Sequence, residues 1–150
     1  MGEVNEMTIE FDGRMCNEGF ARVAVAAFAT QLNPTLEEIA DIKTAVAEAV
    51  TNSIIHGYDH KTEKIKIACR LEKNVLHVSV IDYGTGIEDI KKAMEPLYTT
   101  KPEEDRAGMG FAFMEAFMDE VEVESSKGQG CCVHMVKVIG RGNIYEQMQR

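Results

Sequence analysis

Apolar residues recur along this chain with two different periods, and the switches between them mark out its elements. Ile65, Ile67, Cys69 and Leu71 alternate with Lys66, Ala68, Arg70 and Glu72, and Leu76, Val78 and Val80 alternate with His77, Ser79 and Ile81. A period of two belongs to strands with one buried face, so the spacing predicts a hairpin turning at Lys73-Asn74. A second hairpin is predicted where Val121 and Val123 alternate with Glu122 and Glu124, followed by the turn Lys127-Gly128-Gln129-Gly130 and a strand from Cys131 to Ile139. The alternation blurs at Met135-Val136, which leaves room for a bulge or a register shift. Thr8-Ile9-Glu10-Phe11 reads as a short first strand, ended by Asp12-Gly13.

Between these strands the period lengthens. Phe20, Val23, Ala24, Ala27, Phe28 and Gln31 follow helical spacing from Asn17 until Asn33-Pro34, where the residue before proline leaves the helical region. Thr35 with Glu38 three residues on forms a capping box, and the helix it opens runs from about Leu36 to His56, with Gly57 as its stop. Ile87 to Met94 reads as a short helix, Glu95 to Ala107 as a polar loop containing Pro96 and Pro102, and Gly108 to Met118 as a further helix. The tail from Gly140 reads as frayed. Strand, two helices, hairpin, helix, loop, helix, hairpin is an order that lacks strict β-α alternation. It predicts a two-layer α/β sandwich, with a mixed, mostly antiparallel sheet and helices on one face.

Composition narrows this picture. The 150 residues suit one domain, and 45% hydrophobic against 27% charged residues is an ordinary globular balance. A net charge of -9 disfavours direct nucleic-acid binding and suits a basic protein partner. Cys16, Cys69, Cys131 and Cys132 form no CxxC and no zinc-like spacing, so reduced thiols in a cytoplasmic protein are expected, with Cys131 and Cys132 on opposite faces of one strand. Glu3, Glu6 and Glu10 interrupt any apolar run at the start, so neither a signal peptide nor a membrane span is expected.

Three segments carry candidate chemistry. On the long helix Ile39, Ile42, Val46 and Val50 share one side, while Glu48, Asn52 and His56 form a column near the opposite side. Alone, such a column reads more readily as a solvated polar face. Asp82-x-Gly84-x-Gly86 ends a strand, where glycines permit a sharp turn and close approach to a ligand, and where an aspartate is a fixed acceptor for an exocyclic amine. Alone, it is also an ordinary turn with a capping aspartate. Arg106-Ala107-Gly108-Met109-Gly110-Phe111 opens a helix whose bare N–H groups favour phosphate, preceded by Thr99, Thr100 and Lys101. GxxxxGK[ST], the protein-kinase motif set, GxSxG and HExxH are all absent.

Together the three segments resemble the boxes of the GHKL ATPase/kinase superfamily: Glu48-x-x-x-Asn52 with His56-Gly57 its N box, Asp82-x-Gly84-x-Gly86 its G1 box and Gly108-x-Gly110 its G2 box. Glu18-Gly-Phe20-Ala-Arg22, Ala47-Glu-Ala-Val-Thr-Asn-Ser-Ile-Ile-His-Gly57, Pro96-Leu-Tyr-Thr-Thr-Lys-Pro-Glu103, Gly108-Met-Gly-Phe111 and Phe117-Met-Asp119 are similar, more narrowly, to the sporulation anti-sigma-F family. The resemblance spans about Met7 to Val138 and implies a Bergerat-type ATP-binding fold.

By that resemblance the cofactors are ATP and Mg²⁺. Asn52 would ligate the metal, Glu48 would orient or deprotonate an attacking serine hydroxyl, Asp82 would accept from the adenine amine, and Gly84 and Gly86 would allow that approach. Thr100, Lys101 and Arg106 would belong to a lid, and Gly108, Met109 and Gly110 would offer N–H groups to the phosphates. The implied partners are a sigma factor of the sigma-F type, an anti-anti-sigma factor as the serine substrate, and a second copy in a homodimer, with Glu18 and Arg22 facing the partners. Departures are Gly130-Cys131-Cys132 where the family tends to carry Gly-Thr-Thr, and Ala107 in place of a usual serine; a thiol is the weaker hydrogen-bond partner. An ATP-gated binding module without transfer activity is the alternative. The ATP domain of a sensor histidine kinase is a third reading, set low because no phospho-acceptor helical hairpin is expected in this sequence.

Overall fold

A computed structural model describes residues 3–57, 63–84, 110–125 and 128–140. Among them β1 spans Asn5–Asp12, α1 Glu18–Ala29, α2 Leu36–Asn52, β2 Lys64–Glu72, β3 Val75–Asp82, α3 Gly110–Phe117, β4 Glu120–Ser125 and β5 Cys131–Val138. The strands form one sheet in the order β1-β2-β3-β5-β4, and every pairing is antiparallel. The helices lie on one face, as the element order predicts. The expected helix at 87–94, the loop at 95–107 and the tail after Gly140 lie outside the described residues.

Alternation fixes which side chains meet the helices. Ile65, Ile67, Cys69 and Leu71 of β2 and Leu76, Val78 and Val80 of β3 are buried, while the residues between them are half-buried or exposed. Asp82 shares the phase of Val78 and Val80, so the strand's period carries a carboxylate to the helix-facing side. Lys73 takes the left-handed conformation (φ 55°) at the hairpin tip, and Asn74 ties that tip to β5: its carbonyl accepts from Ile139 N at 2.8 Å and its amide donates to Ile139 O at 3.2 Å.

Helix α1 is preceded by a 3-10 turn at Met15–Asn17 and followed by one at Thr30–Leu32, after which Asn33 turns left-handed (φ 53°) ahead of Pro34. The capping box forms as predicted: Thr35 Oγ1 accepts from Glu38 N at 3.1 Å and Glu38 Oε1 accepts from Thr35 N at 2.8 Å. Ile42, Val46 and Val50 of α2 are fully buried among Val25 of α1, Met114 of α3 and the inner face of the sheet. Ala45, Ala47 and Ala49 are also buried, so small residues let the layers close around the second half of α2.

Three expectations change. The first strand starts at Asn5 rather than Thr8, because the Met7, Ile9, Phe11 alternation pairs with β2 from Asn5↔Leu71 onward. The long helix does not remain α-helical to His56: Ser53–Gly57 winds as a π-helix, closing i→i+5 bonds. Finally, β5 carries no bulge; it pairs one-to-one with β3 and β4 throughout. The blurred alternation comes from Val136, an apolar residue on the outer face, followed by Lys137, which faces inward at 9% exposure. Its ammonium donates to Phe117 O at 2.6 Å and approaches Asp41 Oδ2 at 3.5 Å, so a charged residue occupies a core position with partners waiting there.

Candidate functional site

The end of β3 is where the sheet stops being purely structural. Asp82 is 4% exposed, and its Oδ1 accepts from Gly84 N at 3.0 Å. Burial raises its carboxyl above the usual 3.8, opposed by hydrogen bonds from Gly84 N, the Ser53 hydroxyl and the backbone of Cys131. A carboxylate that accepts so many protein donors holds a fixed orientation. The neighbouring Gly130 (φ 83°) packs so closely that an added Cβ would lie 2.3 Å from Asp82 O, so only glycine lets the β4–β5 turn close on the strand end. Ser125 Oγ donates to Gly130 O at 2.7 Å and secures that turn.

Helix α2 supplies the facing wall. Glu48 is 6% exposed and Asn52 half-buried, so this side is no solvated polar face: α2 runs between α1 and α3, which enclose it. Asn52 lies against the first residue of α3, where an added Cβ on Gly110 would sit 3.1 Å from both Asn52 Nδ2 and Oδ1. The next residue, Ser53, is 4% exposed and bonds Asp82 through its hydroxyl. The asparagine of the long helix and the aspartate of the strand end are thereby joined through one intervening serine. The π-winding begins at that serine, so α-helical spacing no longer carries the column from Asn52 to His56, whose side chain lies outside the described residues.

The structure thus brings Glu48, Asn52, Asp82, Gly84 and Gly110 to one end of the helix–sheet interface. Gly86, Thr100, Lys101, Arg106, Gly108 and Met109 lie outside the described residues. Glu18 and Arg22 stand on α1, paired with each other at 3.6 Å. Phe20 itself is 56% exposed with its ring edge-on to Phe11.

Sequence reasoning gave no role to Ser53, and a single serine in an apolar run offers no periodic signal. Cys131 stands on the wall beside Asp82. Burial, then the charge of Asp82, pushes that thiol up to about 12, opposed by Ser125, so it stays protonated. A groove of about 330 Å³ is lined by Asp82 together with Tyr83, Gln129, Gly130 and Cys131 among others, but by no residue of α2. Among the described residues no group of three or more His, Cys, Asp or Glu side chains could hold a metal ion by itself, and no helix is long and apolar enough to cross a membrane. The four cysteines form no disulfide.

The profile of the histidine kinase-like ATPase domain matches residues 17–137, a span that contains α2, the end of β3 and α3. Among curated proteins, the chain is 59% identical over 140 residues to an anti-sigma F factor of Thermoanaerobacter sp., covering 93% of this chain and 98% of that one. It is 58% identical over 137 residues to an anti-sigma F factor of Caldanaerobacter subterraneus subsp. tengcongensis, covering 91% of this chain and 96% of that one. The chain belongs to the anti-sigma F factors, within the histidine kinase-like ATPase family. Its fold is also that of a solved Mycobacterium tuberculosis protein with RsbU and RsbW domains, at TM-score 0.64, 20% identity, 90% of this chain and 32% of that one.

Proposed function

We propose that the chain binds Mg-ATP between α2 and the end of β3, holds a sigma factor of the sigma-F type inactive, and phosphorylates a serine of an anti-anti-sigma factor. It does so in the cytoplasm of a sporulating cell, as a homodimer. The carrying observation is the Ser53–Asp82 hydrogen bond beside the Asn52–Gly110 contact, because it draws three segments far apart in sequence to one place.

The donor set fits that cofactor. Asp82 is a buried, oriented acceptor for an exocyclic amine, and the Asn52 oxygen is a hard ligand for Mg²⁺ at the start of α3. Bound Mg-ATP supplies the phosphoryl group and neutralises its charge. Gly84 and Gly86 let the backbone turn away from the base. Gly108, Met109 and Gly110 would give N–H groups to the phosphates, and Thr100, Lys101 and Arg106 would supply hydroxyl, ammonium and guanidinium partners to them. Glu48, held in the buried half of α2, orients the serine hydroxyl and accepts its proton. Glu18 and Arg22 present their ion pair to the protein partners.

Phosphate transfer from labelled ATP to the serine of an anti-anti-sigma factor tests this reading. Parent protein is expected to transfer, and Glu48→Gln to transfer about a hundredfold more slowly while still binding ATP. Equal rates would remove Glu48 from the chemistry. Absence of transfer by parent protein that binds both ATP and partner would favour a nucleotide-gated binding module.

A further inference from the structure

Ser53 and Asp82 are both buried where the end of α2 meets the end of β3. Ser53 caps α2: its backbone N–H donates to the carbonyls of Ala49 and Val50, while its hydroxyl proton goes across the layers to Asp82. An ionised carboxylate accepts and cannot donate, and its two oxygens offer about four lone-pair sites. Among the described residues three donors already use them. Gly84 N donates to Oδ1 at 3.0 Å, and the others are the Ser53 hydroxyl and the backbone N–H of Cys131, the register partner of Asp82 on β5. About one site is then left for a molecule from outside.

The number of free sites decides which base fits. The amine edge of adenine asks the carboxylate for a single acceptor. Guanine carries a carbonyl oxygen at that place, and its neighbouring ring N–H and amine form a pair of donors that suits a carboxylate with two free sites. A carboxylate held by three donors therefore suits adenine, and it sets oxygen against oxygen with guanine. Of those donors only Ser53 uses a side chain. Gly84 and Cys131 use backbone N–H groups, which every residue except proline supplies. The preference between bases is thus adjustable at one position.

We propose that Ser53 is the positioning residue that sets base selectivity: its hydroxyl occupies one acceptor site of Asp82, fixes the carboxylate, and so admits adenine over guanine nucleotides. This rests on the nucleotide-binding reading above. Ser53 acts through Asp82 and touches no part of the nucleotide. It directly follows Asn52, which lies against Gly110, so one helix end carries both the amide near α3 and the hydroxyl that holds the strand-end carboxylate. Without the hydroxyl, Asp82 keeps its two backbone donors, regains a second free site and turns more freely, and the two-donor edge of guanine then finds both acceptors it needs.

Calorimetric titration of the full chain with Mg-ADP and with Mg-GDP tests this, with circular dichroism confirming the fold of each variant. Parent protein is expected to prefer Mg-ADP by about a hundredfold. Ser53→Ala is expected to bind Mg-ADP about tenfold more weakly and Mg-GDP no more weakly, so the preference shrinks about tenfold. A general loss of stability would weaken both nucleotides together and leave their ratio unmoved. Ser53→Thr keeps the hydroxyl and is expected to keep the parent ratio. With Asp82→Ala already in place, adding Ser53→Ala should no longer change the ratio. A parent ratio retained by Ser53→Ala overturns the proposal. So does an equal loss in Ser53→Thr, which would assign the effect to packing, or a change that persists beside Asp82→Ala. Parent protein that binds both nucleotides alike overturns the selectivity while leaving the nucleotide site standing. Parent protein that binds neither overturns the nucleotide reading itself, and this inference with it.

Discussion

The two ends of the helix–sheet interface solve the same problem in opposite ways. At the end away from the candidate site, charged groups enter the interior and the chain itself satisfies them. Lys137 donates to the last carbonyl of α3 and approaches Asp41, Glu38 Oε2 accepts from Gly140 N at 2.9 Å, and Asp119 Oδ2 accepts from Val138 N at 2.7 Å. Three elements are locked there by charge-assisted bonds. At the other end Asp82 is just as buried, but its partners are neutral donors: Gly84 N, the Ser53 hydroxyl and the backbone of Cys131. Its negative charge meets no cation among those partners. One end therefore uses charge to hold the fold, and the other keeps a carboxylate oriented for a molecule from outside.

Lys137→Ala should break this contrast hardest. It leaves the Phe117 carbonyl and Asp41 without their ammonium and should cost about 3 kcal/mol of stability in denaturant unfolding, while nucleotide affinity measured well below the melting temperature stays unchanged. Asp82→Ala should do the converse, weakening ATP by about 2 kcal/mol, or about thirtyfold, in calorimetry. Unchanged affinity would remove Asp82 from the adenine site. Gly110→Ala sets a methyl against the Asn52 amide and should cost about 1 kcal/mol in Mg-ATP affinity with no loss of stability; a loss confined to stability would make that glycine a packing residue only.

The smallest effect is on pH dependence. Because the folded Asp82 keeps its proton at a pH where the unfolded chain has released it, stability should fall as pH rises from 3.8 through the raised value and then level off. Asp82→Asn should flatten that segment and leave the neutral variant slightly more stable above it, read as the difference between two urea-unfolding profiles. A steeper profile for the variant would mean that the carboxylate's hydrogen bonds outweigh its burial.

Much of this was legible in the sequence, for identifiable reasons. The alternation from Ile65 to Leu71 and from Leu76 to Val80 reports burial directly, and carrying it two residues further puts Asp82 on the inner face. Asn33-Pro34 and the Thr35–Glu38 pair are local chemistry, so no distant residue had to be known. What escaped depends on distant partners. Lys137 blurred its strand because the residues that satisfy it, Asp41 and Phe117, lie far away in sequence. The π-winding at Ser53–Gly57 and the Ser53–Asp82 bond likewise come from packing rather than from any local pattern. The site residues at 86, 100, 101, 106, 108 and 109 rest on resemblance alone.

The wide coil at Ser53–Gly57 also has a genetic consequence. An i→i+5 turn at the end of an α-helix accommodates about one residue more than an α-helical turn would. Removing one residue there would let the coil tighten and would swing the chain beyond it by about 100°. In this stretch a one-residue deletion is therefore a rotation, and more disruptive than most substitutions at the same positions.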